Sequence, residues 1–193
     1  MAGKQAKLIG DGGVSRLLSL VARHRHAERD RVIVLLSVKA GLRACEIAGL
    51  TWGMVLDARG QIGDVIELRD AIAKRGGGRL IPLNPTLKAA LCKLWQIEPS
   101  SAGAPLVRSE RGEAMRANSI VNWFVSLYQR AGLEGCSSHS GRRTFITKAA
   151  RSVHRVGGSL RDVQQLAGHA SIEMTQRYIE GDTQAKRALV RLI

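Results

Sequence analysis

The sequence predicts an α+β fold, mostly helical, with a small three-stranded antiparallel sheet near its start. Three observations predict it. Apolar residues recur at helical spacing along most of the chain. One block, residues 54–83, instead interleaves β-branched and apolar residues with Gly60, Gly63 and the Gly76-Gly77-Gly78 run. Asn84-Pro85 then restarts the helical pattern. A length of 193 residues suits one domain or two small ones with a buried core, and 45% apolar with 24% charged residues excludes a disordered chain.

In order along the chain, Val14, Leu17, Leu18 and Val21 give an amphipathic helix that ends near His26. A second helix is expected from Glu28 to Ala40, stopped by Gly41, and a short third from Arg43 to Leu50. The sheet follows, its last strand at Arg79 to Leu83. Asn84 caps a helix through Trp95, and Glu98 to Pro105 is a loop leading to a short strand at Pro105 to Val107. Further helices are expected at Asn118 to Ala131, Ser140 to Val153, Leu160 to Ala167, Ile172 to Glu180 and Thr183 to Leu192. The last has Ala185, Ala188, Leu189 and Leu192 on one face.

Charge narrows the partners. Lys plus Arg outnumber Asp plus Glu by 30 to 16, a formal charge of +14. Such a field attracts polyanions. The basic residues are spread along the chain rather than gathered in a tail, which favours a folded basic surface over membrane attachment. Aromatics are 4% of the chain, too few for a single-strand stacking platform, so the duplex backbone is the better partner. The longest apolar run, Val32 to Leu36, is far too short to span a bilayer, and Gly10 to Gly13 break any signal-like run after Lys4 and Lys7. A soluble, cytoplasmic protein is expected. Cys45, Cys92 and Cys136 have neither disulfide-framework nor metal-pair spacing and read as packing thiols. His24, His26 and His154, set among arginines, read as a solvated basic face, and Trp52, Trp95 and Trp123 as core.

Three segments carry groups suited to a phosphodiester: Gly41-Leu42-Arg43-Ala44-Cys45-Glu46-Ile47, His139-Ser140-Gly141-Arg142-Arg143, and Leu166-Ala167-Gly168-His169 with Tyr178 nine residues on. Paired guanidiniums offer forked donors to nonbridging oxygens and stabilise the charge that accumulates in the transition state. A tyrosine, with an unperturbed pKa of about 10, needs cationic neighbours or a base to attack. His139 or His169 meets that need, and Lys74, beside the glycine run, is placed to protonate a leaving alkoxide.

In that order and spacing the chain resembles the catalytic domain of the tyrosine recombinases, the phage-integrase family. Their pattern is G-L-R-x-x-E-[IL], a hairpin lysine, H-x-L-R-H, then L-G-H and a tyrosine nine residues beyond. The resemblance covers nearly the whole chain. It implies that Arg43 and Arg142 clamp the scissile phosphate and that Lys74 is general acid for the 5′ oxygen. His139 would handle the tyrosine proton, His169 would hydrogen-bond the phosphate, and Tyr178 would form a 3′-phosphotyrosyl link. Lys74 precedes Pro82 by eight residues, as the family's lysine precedes its proline. Arg75, Arg79, Arg143 and Lys148 are expected to contact DNA. Such chemistry needs no metal, nucleotide or other cofactor, because the ester conserves the bond energy.

The resemblance implies a short extension at 1–12, a catalytic domain at 13–181 and a C-terminal helix at 182–193 that docks on a neighbouring protomer. Family members commonly carry a helical core-binding domain ahead of the catalytic one. Here about a dozen residues precede the first helix, so self-association on duplex DNA, or an accessory protein supplying that half, is expected. Two positions depart from the pattern. Gly141 stands where the family has Leu and is expected to cost local stability, and Arg143 replaces the second His and cannot carry a proton. Glu46 reads as a structural support. The competing readings are a type IB topoisomerase, a non-catalytic DNA-binding protein derived from a recombinase, and a general basic RNA binder.

Overall fold

The computed structural model describes residues 6–73, 77–178 and 190–191. It divides into two compact units, Met1–Phe145 and Ile146–Ile193.

The first unit is built around α2 (Ala27–Lys39), whose residues Val32 to Leu36 are all fully buried. A helical stretch buried on every side belongs at a centre, and α1 (Asp11–Val21), α3 (Ala44–Gly49) and α4 (Pro85–Ile97) pack on α2. Asn84 opens α4 by accepting the Thr86 N–H at 3.1 Å, with Pro85 at the first position. Leu87, Ala90, Leu91 and Leu94 then face inward at helical spacing, each leucine contributing about 1.5–3 kcal/mol on burial. Ile120, Phe124, Leu127 and Tyr128 form the equivalent stripe of α5 (Ala117–Arg130), which packs on α3.

The sheet has two strands among the described residues, not the three expected. β1 (Val65–Leu68) pairs antiparallel with β2 (Arg79–Pro82), Ile66 opposite Ile81. The anticipated first strand is consumed by turns. Trp52–Met54 is a 3-10 turn, and Asp57 Oδ1 accepts from the N–H groups of Arg59 and Gln61, leaving a single bridge from Leu56 to Ile62. Likewise Pro105 makes one bridge to Thr51 rather than a strand.

The second unit holds the later part of α6 (Ser140–Ser152), a 3-10 turn at Val153–Val156, α7 (Leu160–Ala167) and α8 (Ile172–Gln176), with α7 packed on α8. A capping box starts α7. Ser159 Oγ accepts from Arg161 N at 3.2 Å, while Asp162 Oδ2 accepts from Ser159 N at 2.7 Å. The Ser159 N–H beside it holds the Asp162 carboxyl below its usual range.

Other boundaries also shift. α1 stops at Val21, five residues before His26, because His24 turns inward. Its Nδ1 meets the buried Asp30 at 2.7 Å and its Nε2 meets Arg130 at 3.0 Å. His24 is therefore hydrogen-bonded to the buried Asp30 rather than part of a solvated face, and His26 Nε2 is buried as well. α8 ends at Gln176, short of Glu180, which leaves Tyr178 in the turn that follows. The helix expected at Thr183 to Leu192 lies outside the described residues apart from Val190 and Arg191. No helix among the described residues is long and apolar enough to cross a membrane.

Candidate active site

One group of candidate residues, the arginines, is built in the first unit, where the chain leaves α2. Gly41 makes that exit with φ +66°, left-handed backbone that suits glycine, and any Cβ would also run into the Phe145 ring. The turn presents two features. Arg43 becomes the residue before α3, and the Gly41 carbonyl is left pointing at an incoming donor. That donor is Arg142 Nη1, at 2.7 Å, from 101 positions along the chain. Arg142 is buried, 4% exposed, on the first turn of α6. The fold thus carries the two predicted phosphate clamps to a single three-residue turn.

Gly141 permits that reach. The start of α6 lies so close to α2 that a Cβ at Gly141 would strike Ser37 Oγ and sit 2.9 Å from Ser37 Cβ. The glycine is therefore a close-contact requirement here and not the simple loss of a packing leucine that the family pattern suggests.

Beneath Arg43 lies Glu46, fully buried. Glu46 Oε2 accepts the Arg43 backbone N–H at 2.8 Å and Oε1 accepts Arg43 Nη1 at 2.7 Å. Arg79 Nη1 and Nη2 each donate to one of the two oxygens at 3.1 Å. Burial pushes the carboxyl up, but the hydrogen bonds and charge of Arg79, joined by those of Arg43, outweigh it and hold the group below its usual range. Arg79 is thus spent on a buried carboxylate instead of facing DNA. One signal pointed to this: in β2 it alternates onto the same face as the buried Ile81.

His139 is exposed immediately before α6, its carbonyl accepting the Arg143 N–H at 2.9 Å and its Nδ1 3.4 Å from Ser138 Oγ. Arg143 is half-buried and donates Nη1 to the Ala6 carbonyl at 2.6 Å. Lys74 and Arg75 lie outside the described residues.

The other group, with the tyrosine, is built in the second unit. α7 ends at Gly168, and the next residue, His169, is buried with its N–H on the Gln164 carbonyl at 3.1 Å. Gln164 Nε2 returns a bond to the His169 carbonyl at 3.0 Å. The ring is fixed by Thr175 Oγ1, 2.9 Å from Nδ1, and Thr175 is itself fully buried in α8. Tyr178 donates its N–H to the Thr175 carbonyl at 3.0 Å, which brings its half-buried ring to 5.5 Å from His169, stacked at 24°. Thr175 and Gln164 hold the pair and were not anticipated; a threonine in a short helix carries no motif of its own. Lys148 is exposed on α6. The chain's other tyrosine, Tyr128, is buried in α5, and burial pushes its phenol upward, the wrong direction for a nucleophile.

Comparison with known proteins decides the family. The model of the phage integrase family matches residues 11–185. This chain belongs to that family. A XerC tyrosine recombinase from Brucella suis biovar 1 (strain 1330) is 31% identical over 161 residues, which cover 82% of this chain and 48% of that protein. A XerA tyrosine recombinase from Thermococcus kodakarensis is 29% identical over 171 residues, covering 86% of this chain and 55% of that protein. The chain spans about half the length of the curated relatives it matches. Among solved structures, a XerA recombinase crystal structure superposes with a TM-score of 0.74 at 22% identity, over 98% of this chain and 65% of that one. The Tn1549 transposon integrase in complex with a circular intermediate DNA gives 0.76 at 19%, over 100% and 67%. These likenesses establish the tyrosine-recombinase catalytic-domain fold.

Proposed function

We propose that this chain breaks and rejoins duplex DNA at specific sites through a transient covalent bond between Tyr178 and a 3′ phosphate. The observation that carries the reading is the meeting of Arg142 with the turn that bears Arg43. Two guanidiniums fixed in advance at one place suit the accumulating charge of a pentavalent phosphorus, and preorganised donors of this kind usually supply the largest catalytic contribution. The solved integrase that carries DNA, and the net charge of +14, support a duplex as substrate.

In the proposed reaction, Arg43 and Arg142 hold the nonbridging oxygens. The Tyr178 hydroxyl attacks phosphorus, its proton passing to His139, while the 5′ oxygen leaves and takes a proton from Lys74. His169, held by Thr175, donates to a phosphate oxygen. Rejoining is the reverse, with a 5′ hydroxyl of the same or another strand attacking the phosphotyrosine. No bond energy is lost to water, because the phosphotyrosyl ester conserves it for rejoining. Exchange between strands calls for a second copy on the DNA, with residues 182–193 as the segment that docks on it, or an accessory protein that grips the opposite face.

The test is a denaturing gel of the protein with nicked suicide duplexes carrying the DNA that flanks its gene. A covalent adduct that vanishes in Tyr178→Phe is expected. Binding without adduct would instead make the chain a non-catalytic DNA-binding derivative, and relaxation of arbitrary supercoiled plasmid would make it topoisomerase-like.

A further inference from the structure

Glu46 accepts four donors, two from Arg43 and two from Arg79. An ionised carboxylate offers about four lone-pair positions, so it is filled. Two forked guanidiniums around one carboxylate compete for it, because the bidentate arrangement is the stronger one. Arg79 holds that arrangement, one nitrogen on each oxygen, and its side chain is 7% exposed. Arg43 spends Nη1 alone from its side chain on the carboxylate and keeps 18% exposure.

We propose that Arg79 is a positioning residue: by occupying both oxygens of Glu46 it stops Arg43 from folding down bidentately, and so keeps the other donors of Arg43 directed at the phosphate. The proposal rests on Arg43 being a phosphate clamp, as argued above. It assigns the opening residue of β2 a part in the chemistry that it performs without touching the substrate. Arg79→Met should leave Arg43 the sole guanidinium on Glu46, closed onto both oxygens. Arg79→Met combined with Glu46→Gln should release it again, since the charge that captures it is gone.

Guanidinium nitrogen-15 NMR on the full chain without DNA reads this directly, with the Arg43 signals assigned by their loss in Arg43→Lys. Rotation about the Arg43 Nε–Cζ bond is expected to slow in Arg79→Met, to slow less in Arg79→Lys, whose single ammonium cannot cover both oxygens, and to recover in the double variant. Unchanged Arg43 signals in both Arg79 variants would overturn the proposal. On the suicide duplex, single-turnover adduct formation by Arg79→Met should fall by up to about 100-fold, the order expected for a misplaced clamp, while affinity for the duplex is retained. Adding Glu46→Gln should restore part of that rate. A wild-type rate in Arg79→Met, or a double variant slower than Arg79→Met alone, counts against it. Absence of adduct in the wild-type chain would undo the functional reading alone, and the NMR result then decides the role of Arg79.

Discussion

Each of the two units holds one group of candidate residues, and the two groups are made differently. Among the arginines, the local pairing of Arg43 with Glu46 is tied down by contacts that are long-range. Arg142 reaches Gly41 across 101 positions, Arg79 reaches Glu46 across 33, and the carboxylate at the bottom is fully buried. In the tyrosine group the contacts are local. Gln164 and His169 are five apart, His169 and Thr175 six, and Thr175 and Tyr178 three. The proposed clamp therefore depends on the tertiary packing of α2, α3, β2 and the start of α6, whereas Tyr178, the proposed nucleophile, follows a cassette of two short helices. A charge clamp must be stiff to be preorganised. A nucleophile that becomes covalently attached to DNA is well served by a segment that can adjust without unfolding its surroundings.

The largest effect is expected from Glu46→Met. It leaves two part-buried guanidiniums without their carboxylate, and removing one partner of a buried pair costs about 3–5 kcal/mol; urea unfolding is expected to register a loss of that order. A cost near zero would mean the clamp does not depend on buried pairing. Next is Gly141→Leu, which restores the family's residue. Overpacking of a close helix contact costs about 1–3 kcal/mol, and the same unfolding assay should find the variant less stable than the parent. Stabilisation would show that the close approach of α6 and α2 is not required. Smaller still is Thr175→Val, which removes the hydroxyl that fixes His169 while keeping its shape. About 1 kcal/mol is expected from stability, together with a clear slowing of adduct formation. Equal rates would show that the imidazole needs no such support.

Acid should also act on the group around Glu46. The folded-state pKa of Glu46 lies below its unfolded value, so its contribution is present above the ordinary carboxylate range and lost as pH falls through the depressed value. Stability measured in urea should drop across that acid window in the parent chain and drop less in Glu46→Gln. Parallel curves would contradict the role given to the buried carboxylate.

The sequence made the chemical groups legible because ordered spacing survives any folding detail. Arg43, His139, Arg142, His169 and Tyr178 stand at the starts and ends of helices that were expected at nearly the positions found. What was not legible depends on register and on neighbours. Arg75 and Arg79 look alike in a basic hairpin, and only the alternation of β2 turns Arg79 inward beside Ile81. Gly141 reads as a weakness until Ser37 is seen against it. The missing third strand reflects side-chain capping by Asp57, which tightens a turn where the apolar pattern suggested a strand. Thr175 has no motif, since its role exists only once α7 and α8 pack.

In the proposed reaction Tyr178, and no other group, becomes bonded to DNA. Trapped adduct can be digested with nuclease and trypsin and sequenced by mass spectrometry. Cleavage after Arg177 and Lys186 isolates residues 178–186 as one peptide. A residual nucleotide on Tyr178 in that peptide is expected. A nucleotide on Tyr128, or on any other residue, would contradict it.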